Sequence, residues 1–168
     1  ALLKELEHRL DVLAYGPRDA PPRLRTMRDA IAWSHDLLAD DHQALFRRLG
    51  VFIDGFSIEA ARASAADHPD VLAGLDALVT ASLVNAATGV AGEPRFAMPE
   101  TIREFALERL EASGEADRVR ATHADYFRLL AERMLPHYDG PQARVALDRM
   151  EAELGNCRAA MTWALETG

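Results

Sequence analysis

Apolar residues recur at three- and four-residue steps along most of the chain, the spacing of helices that each bury one face. Leu2, Leu3, Leu6, Leu10 and Leu13 form the first stripe, which stops at Gly16-Pro17. The stretch to Pro22 cannot continue a helix, because each proline removes an amide donor and restricts the residue before it, so residues 16–22 read as a linker. From Thr26 the pattern resumes. Thr26 and Asp29 are spaced as a capping box, and Met27, Ile31, Trp33, Leu37 and Leu38 supply an apolar face. Asp40 or Asp41 then caps a second helix with Leu45, Phe46, Leu49 and Phe52 inward. The pair Arg47-Arg48 falls near its C-terminal end, where the macrodipole favours cations.

Asp54-Gly55 is a turn signal, and Ser57 caps a short helix to about Ala65. After Asp67-His68-Pro69-Asp70, a stripe of Val71, Leu72, Leu75, Leu78, Val79 and Leu83 predicts a further helix. Residues 83–86 and 94–98 flank a glycine-containing loop and form the one strand pair the pattern offers. Helical spacing returns in Ile102, Phe105, Ala106, Leu107 and Leu110, stopping at Ser113-Gly114. A long helix follows from about Glu115 to Leu135, with Val119, His123, Tyr126, Phe127 and Leu130 on one side and Pro136 as its stop. Two more helices are expected, near Pro141 to Leu154 and Asn156 to Glu166. The last carries Met161, Trp163 and Leu165 with nothing after it to cover them, which leads us to expect a piece of a longer protein, and offers a second copy a face to pair with. Helices followed by a hairpin give the element order of a winged helix-turn-helix, so the expected class is mainly α with a small β-hairpin.

Composition narrows the function. Hydrophobic residues are 49% and charged ones 27% of the 168, ordinary globular usage that supports a packed core. No apolar run approaches the roughly 20 residues of a membrane span, and the N-terminus lacks the marks of a signal peptide, so a cytoplasmic location is expected. Cys157 is the single cysteine, which excludes an intrachain disulfide and a cysteine-based zinc cluster; its spacing on a helix face predicts a buried thiol. The net charge of −8 repels a phosphate backbone unless a local basic patch overrides it.

Three stretches together resemble bacterial STAND regulators, the signalling NTPases that include LuxR-like and AfsR-like transcriptional regulators. They are Arg25 to Leu38 (RTMRDAIAWSHDLL), Ala44 to Ala61 (ALFRRLGVFIDGFSIEAA) and Phe96 to Ala106 (FAMPETIREFA). In that family an NB-ARC-type NTPase core is followed by a helical segment, a winged helix and tetratricopeptide-like sensor repeats. The resemblance implies that residues 1–22 are the tail of the NTPase helical segment and its linker, 23–112 the winged helix, and 113–168 a helical linker entering an antiparallel repeat array near Glu151 to Ala160. It also implies transcription regulation by a protein that binds ATP or ADP elsewhere in its chain, with this segment's partners being its own NTPase core, the repeats and other proteins. Phe96-Ala97-Met98-Pro99-Glu100 resembles the Met-His-Asp signature of NB-ARC proteins, whose histidine reaches the nucleotide phosphates. Pro99 stands at the histidine position and cannot donate a hydrogen bond, so no nucleotide contact is carried over; Met98 reads as core and Pro99-Glu100 as a first helical turn. Met98, Pro99, Glu100 and Arg103 are the candidate interdomain interface.

Catalytic alternatives find no support. No G-x-x-x-x-G-K-[ST] loop occurs, so the segment itself is expected to hold no nucleotide and no other cofactor. Ser34-His35-Asp36 has the letters of a triad, but neighbouring helical residues point about 100° apart, and His35 is expected at the surface. The histidines show neither H-E-x-x-H nor an i, i+4 pair, so no metal site is nominated; His123 reads as a core or boundary residue. The mixed-sign face of Arg103, Glu104, Glu108, Arg109 and Glu111 reads as solvated helix surface. The rival reading is a DNA-binding winged helix. The helix before the hairpin would enter the major groove, yet its polar set is Asp70, Asp76, Thr80 and Ser82, and Arg95 alone marks the wing.

Overall fold

A computed structural model describes residues 26–90 and 92–167. The leucine stripe of residues 2–13, the linker of 16–22 and their assignment to an NTPase tail lie outside the described residues. Helix α1 (Met27–Asp36) opens with the Thr26 side chain accepting the Asp29 amide, as the capping pattern predicts. Helix α2 (Asp40–Leu49) starts on Ala39 with no side-chain cap. Asp40 and Asp41 instead lie in its first turn, where their charge offsets the macrodipole, and Asp41 accepts the neighbouring His42 amide.

After α2 the chain turns through Asp54 and Gly55, both at positive φ, into a two-residue strand β1 (Phe56–Ser57). The alternation pattern missed β1, because two residues are too few to show a period. Ser57 Oγ accepts the Ala60 amide and so starts α3 (Ile58–Ser64). Asp70 caps α4 (Val71–Thr80) by accepting two amides, and α4 ends three residues before Leu83. Ser82 at positive φ reverses the chain and returns Leu83 and Val84 to the core. Strands β2 (Asn85–Thr88) and β3 (Pro94–Ala97) form the hairpin. β3 is central, pairing antiparallel with β2 (Ala86 opposite Phe96) and with β1 (Phe56 opposite Phe96), in the order β1-β3-β2. This is the topology of a winged helix-turn-helix domain: α2, β1, α3, α4 and the β2–β3 wing, with α4 in the position of the recognition helix.

Helices α5 (Glu100–Ser113), α6 (Ala116–Met134), α7 (Ala143–Ala152) and α8 (Leu154–Thr167) complete the described chain, with a 3-10 turn at Leu135–His137. Gly114, at positive φ, ends α5. The core is continuous. Phe46 and Phe105 join α2 to α5, while Phe52, Phe56 and Phe127 meet beneath the sheet. His35, expected at the surface, is buried between Phe46 and Phe105, with ring centroids 5.3 and 5.7 Å away. It lies four residues after buried Ile31, on the inner face, which displaces Trp33, Leu37 and Met27 to the outer one. Leu72 is likewise exposed on α4, one position round from buried Val71.

Two polar groups make this core sensitive to acid. Arg48, buried on α2, donates to Asp67 (2.6 and 3.1 Å) and to Glu115 (2.7 Å), while Arg47 donates to Glu115 (2.8 Å). The arginine pair thus ties α2 to the α3–α4 turn and to the α5–α6 junction, beyond the dipole role its position predicts. Hydrogen bonding from Arg48, opposed by burial and helped by Arg47, lowers Glu115 to about 2. Burial lowers His123 to about 4, with Asn156 working weakly the other way. For both groups the unfolded chain binds the proton more tightly, so stability falls as pH falls. His123 loses its share between pH 6.5 and about 4, on the order of 3 kcal/mol, and Glu115 between 4.5 and about 2, on the order of 2 kcal/mol after solvent screening. Urea unfolding at pH 7, 5 and 3 should show two successive losses; His123→Leu should flatten the first and Glu115→Gln the second. A wild-type stability constant from pH 7 to 4 would contradict the assignment.

Candidate functional site

In this fold the surface that meets a partner is built from α4 and the wing. The buried positions Val71, Gly74, Leu75 and Leu78 set the rotation of α4, and leave Leu72, Ala73, Asp76 and Thr80 outward. Asn85 through Thr88 are all exposed along β2, and Val90 stands out from the loop tip. No outward position of α4 or β2 carries a cation. Arg95 is the wing's basic residue, and β3 directs it inward. Its Nη1 donates to Glu153 Oε1 (2.6 Å), and Nη2 donates to Glu153 Oε2 (3.2 Å), the Ala152 carbonyl (2.8 Å) and the Gly55 carbonyl (3.4 Å).

Glu153 and Asn156 complete this network at the α7–α8 junction. Asn156 is fully buried; its Oδ1 accepts the Ile53 amide (2.7 Å), and its Nδ2 donates to the Gly55 carbonyl (2.9 Å) and to Glu153 Oε2 (2.8 Å). A single buried amide therefore reads both sides of the Asp54-Gly55 turn and holds the carboxylate that holds Arg95. Space is tight there: a side chain at Gly155 would run into the Asp54 carboxylate. Sequence reasoning missed the network because it joins three separate stretches of the chain, with bonds that span 40, 58 and 103 residues. The one signal was an asparagine on the inner face of a helix, between Glu153 and Ala160.

The four candidate interface residues lie together at the hairpin exit. Met98 packs against the core, and Pro99 precedes α5, its carbonyl accepting the Arg103 amide (2.8 Å). Glu100 is exposed in the first turn. Arg103 Nη1 donates to the Gly50 carbonyl (3.2 Å), which pins α5 to the end of α2. Met98, Glu100 and Arg103 line a cleft of about 290 Å³ whose far wall is Ile53, Asp54 and Gly55, the turn that Asn156 fixes. Pro99 shapes the helix start and does not line the cleft. The mixed-sign face of α5 is less independent than a solvated surface: Glu108 pairs with Arg28 of α1, Glu111 pairs with Arg120 of α6, and Arg109 stacks over Phe105.

The remaining chemistry is sparse. Cys157 is half-buried beside an apolar groove of about 450 Å³ between α6 and α8, and burial pushes its thiol up, away from reactivity. His42 and His68, distant in sequence, stack at 5.8 Å, and with Asp41 place three ligand atoms within 4.8 Å of one another. However, His68 Nδ1 accepts the Asp70 amide (3.2 Å), so the neutral ring carries its proton on Nε2 and has no lone pair left for a metal. Nothing among the described residues assembles a nucleophile with a base.

Residues 38–111 match the family model of the winged helix-turn-helix domain, in agreement with the topology described above. The chain is 44% identical over 161 residues to "Putative HTH-type transcriptional regulator Rv0890c" of Mycobacterium tuberculosis H37Rv, an alignment covering 94% of this chain and 18% of that protein. The same figures hold for "Putative HTH-type transcriptional regulator Mb0914c" of Mycobacterium bovis. "Uncharacterized protein Rv0894" of M. tuberculosis H37Rv is 33% identical over 132 residues, 76% of this chain and 33% of that one. The chain thus spans about a fifth of the length of the first two. No solved structure matches. Relatives named as regulators accord with a non-enzymatic role, and no described helix is long and apolar enough to cross a membrane.

Removing one partner of a buried ion pair strands the other charge, at a cost of about 3–5 kcal/mol. Glu153→Ala should therefore destabilise the protein by about that amount. A double-mutant cycle with Arg95→Ala should give a coupling of about 2 kcal/mol by urea unfolding. Additive single effects would show that the two groups do not act together.

Proposed function

We propose that this chain is a regulatory winged-helix module that works by packing against protein, relaying a signal between a nucleotide-binding core and a helical sensor array of the STAND type. The single observation that carries this reading is the engagement of Arg95. The cation that a wing would offer to phosphate is held by Glu153 and two carbonyls, leaving α4 and β2 with outward surfaces of small, apolar and acidic residues. Such a surface suits a protein partner, and neither α4 nor β2 offers a cation through which nucleic acid would be attracted.

Under this proposal ATP or ADP binds in the NTPase core of the longer protein, residues 113–168 enter its repeat array, and the hairpin exit at Met98, Pro99, Glu100 and Arg103 faces the core. Signalling then consists of two arrangements of one interface, biased by nucleotide on one side and by the sensor on the other. Arg103 suits this position because it joins α2 and α5 while bordering the cleft, so a partner there would feel both helices. A second reading, sequence-specific DNA binding, is favoured by the winged helix-turn-helix match and by the names of the relatives.

Fluorescence anisotropy with a duplex DNA pool separates the two. At low salt we expect no saturable binding below about 10 μM, the range in which even non-specific DNA binders associate. Tight binding with a steep salt dependence would overturn the packing reading in favour of the second. The positive arm uses any P-loop module encoded in the same reading frame: calorimetry should show association, weakened about ten-fold by Arg103→Glu, which replaces a cation at the cleft with an anion.

A further inference from the structure

A groove lined by α6 and α8 shares Ile53, Asp54 and Arg103 with the hairpin-exit cleft. It encloses about 750 Å³, within the roughly 300–1,000 Å³ that small-molecule sites occupy. One wall belongs to the winged-helix side, with Val51, Ile53 and Leu107; the other belongs to α6 and α8. Arg103, Arg120 and Arg158 line it together with Asp54 and Glu166, and Glu100 and Glu111 pair with the first two arginines.

The state of the polar groups argues for a ligand. Arg158 is exposed and makes no hydrogen bond or ion pair among the described residues, so its guanidinium keeps all its donors. Arg120 pairs with Glu111, and Arg103 with Glu100 and the Gly50 carbonyl, each leaving guanidinium donors over. His123 also lines the groove. It is 3% exposed, and its Nε2 is buried without a hydrogen-bond partner, a polar atom that folding alone leaves unpaired. Trp163 contributes a half-buried aromatic surface beside Leu107 and Val51.

We propose that this groove binds a small organic anion, its carboxylate or phosphate head held by Arg158 and Arg120 and its apolar body lying against Trp163. Guanidinium groups suit such a head because their paired donors match two oxygens at once. The groove spans the boundary between the winged helix and α8, so a bound anion favours the arrangement in which those two parts are close, and supplies an input on the sensor side. The proposal stands whether the module's partner is protein or DNA.

The test uses ¹H–¹⁵N NMR titrations of the chain with 1-naphthyl phosphate, 1-naphthoate and the neutral isostere 1-naphthalenemethanol. Binding of either anion should shift the Trp163 indole signal and the amides of residues 155–163 saturably, with Kd below about 1 mM, while the Trp33 indole stays fixed. Arg158→Ala should weaken binding about ten-fold, as expected for the loss of a charge-assisted hydrogen bond. Arg158 has no partner to strand among the described residues, so the variant should fold as the parent does. Arg144→Ala, at an exposed position on α7, should leave affinity unchanged. The proposal is overturned if neither anion gives a saturable shift at about 10 mM, if the neutral isostere binds as tightly, or if the two arginine variants weaken binding equally.

Discussion

The placement of the C-terminal helices on the winged helix rests on two buried polar side chains and a half-buried arginine. Asn156 satisfies the backbone on both sides of the Asp54-Gly55 turn and orients Glu153, which in turn receives Arg95 from the wing. Burying an ion pair costs several kcal/mol per charge in lost hydration, and mutual attraction returns little more than that. Its contribution is to register. Apolar contacts between α6, α8 and the rest of the core tolerate small slides, whereas a buried amide with three short hydrogen bonds is satisfied in one position only. Because the turn at Asp54-Gly55 leads straight into β1, and β1 pairs with the strand carrying Arg95, the network closes on itself through the sheet. Disturbing α7–α8 therefore disturbs the wing.

That closure explains which parts of the molecule were legible in the sequence. Helices with strong stripes and proline or glycine stops, such as α5 and α6, appear within a residue or two of their predicted bounds, since burial of one face and the absence of a donor are local facts. The position of α4 before the hairpin was equally readable. Strand β1 was not, because its two residues are held by pairing with β3, a partner nearly forty residues away. His35, Trp33 and Leu72 were misplaced for one common reason: a stripe three or four residues apart leaves about a third of the circumference undecided, and the neighbouring helix settles it. At the site, the sequence showed Arg95 as the wing's lone cation but gave no sign that Glu153 would take it. The large groove escaped notice too, since its walls come from segments more than a hundred residues apart, from Val51 to Glu166.

The winged helix also shows how little a fold constrains its use. Its architecture guarantees that α4 and the wing project together from one side, a convex surface ready for a groove in something else. Whether that something is DNA depends on what the outward positions carry. A duplex requires cations at the approach and hydrogen-bonding side chains at the bases. Here Ala73, Asp76, Thr80 and Asn85 to Thr88 occupy those positions, and the wing arginine faces the other way.

Arg48 and Arg95 follow one logic. Each is a cation on the winged helix that folding draws inward to a carboxylate on the later helices, Glu115 at the start of α6 and Glu153 before α8. Both pairs cross from the winged helix to the C-terminal segment, and both remove a positive charge from the winged-helix surface. The junction between the two parts gains two directional contacts that specify a single orientation. Arg158 departs from this logic, a cation on α8 with no ion-pair partner among the described residues. Its groove opens at the same junction, so an anion supplied from solution would complete there what Glu115 and Glu153 complete elsewhere.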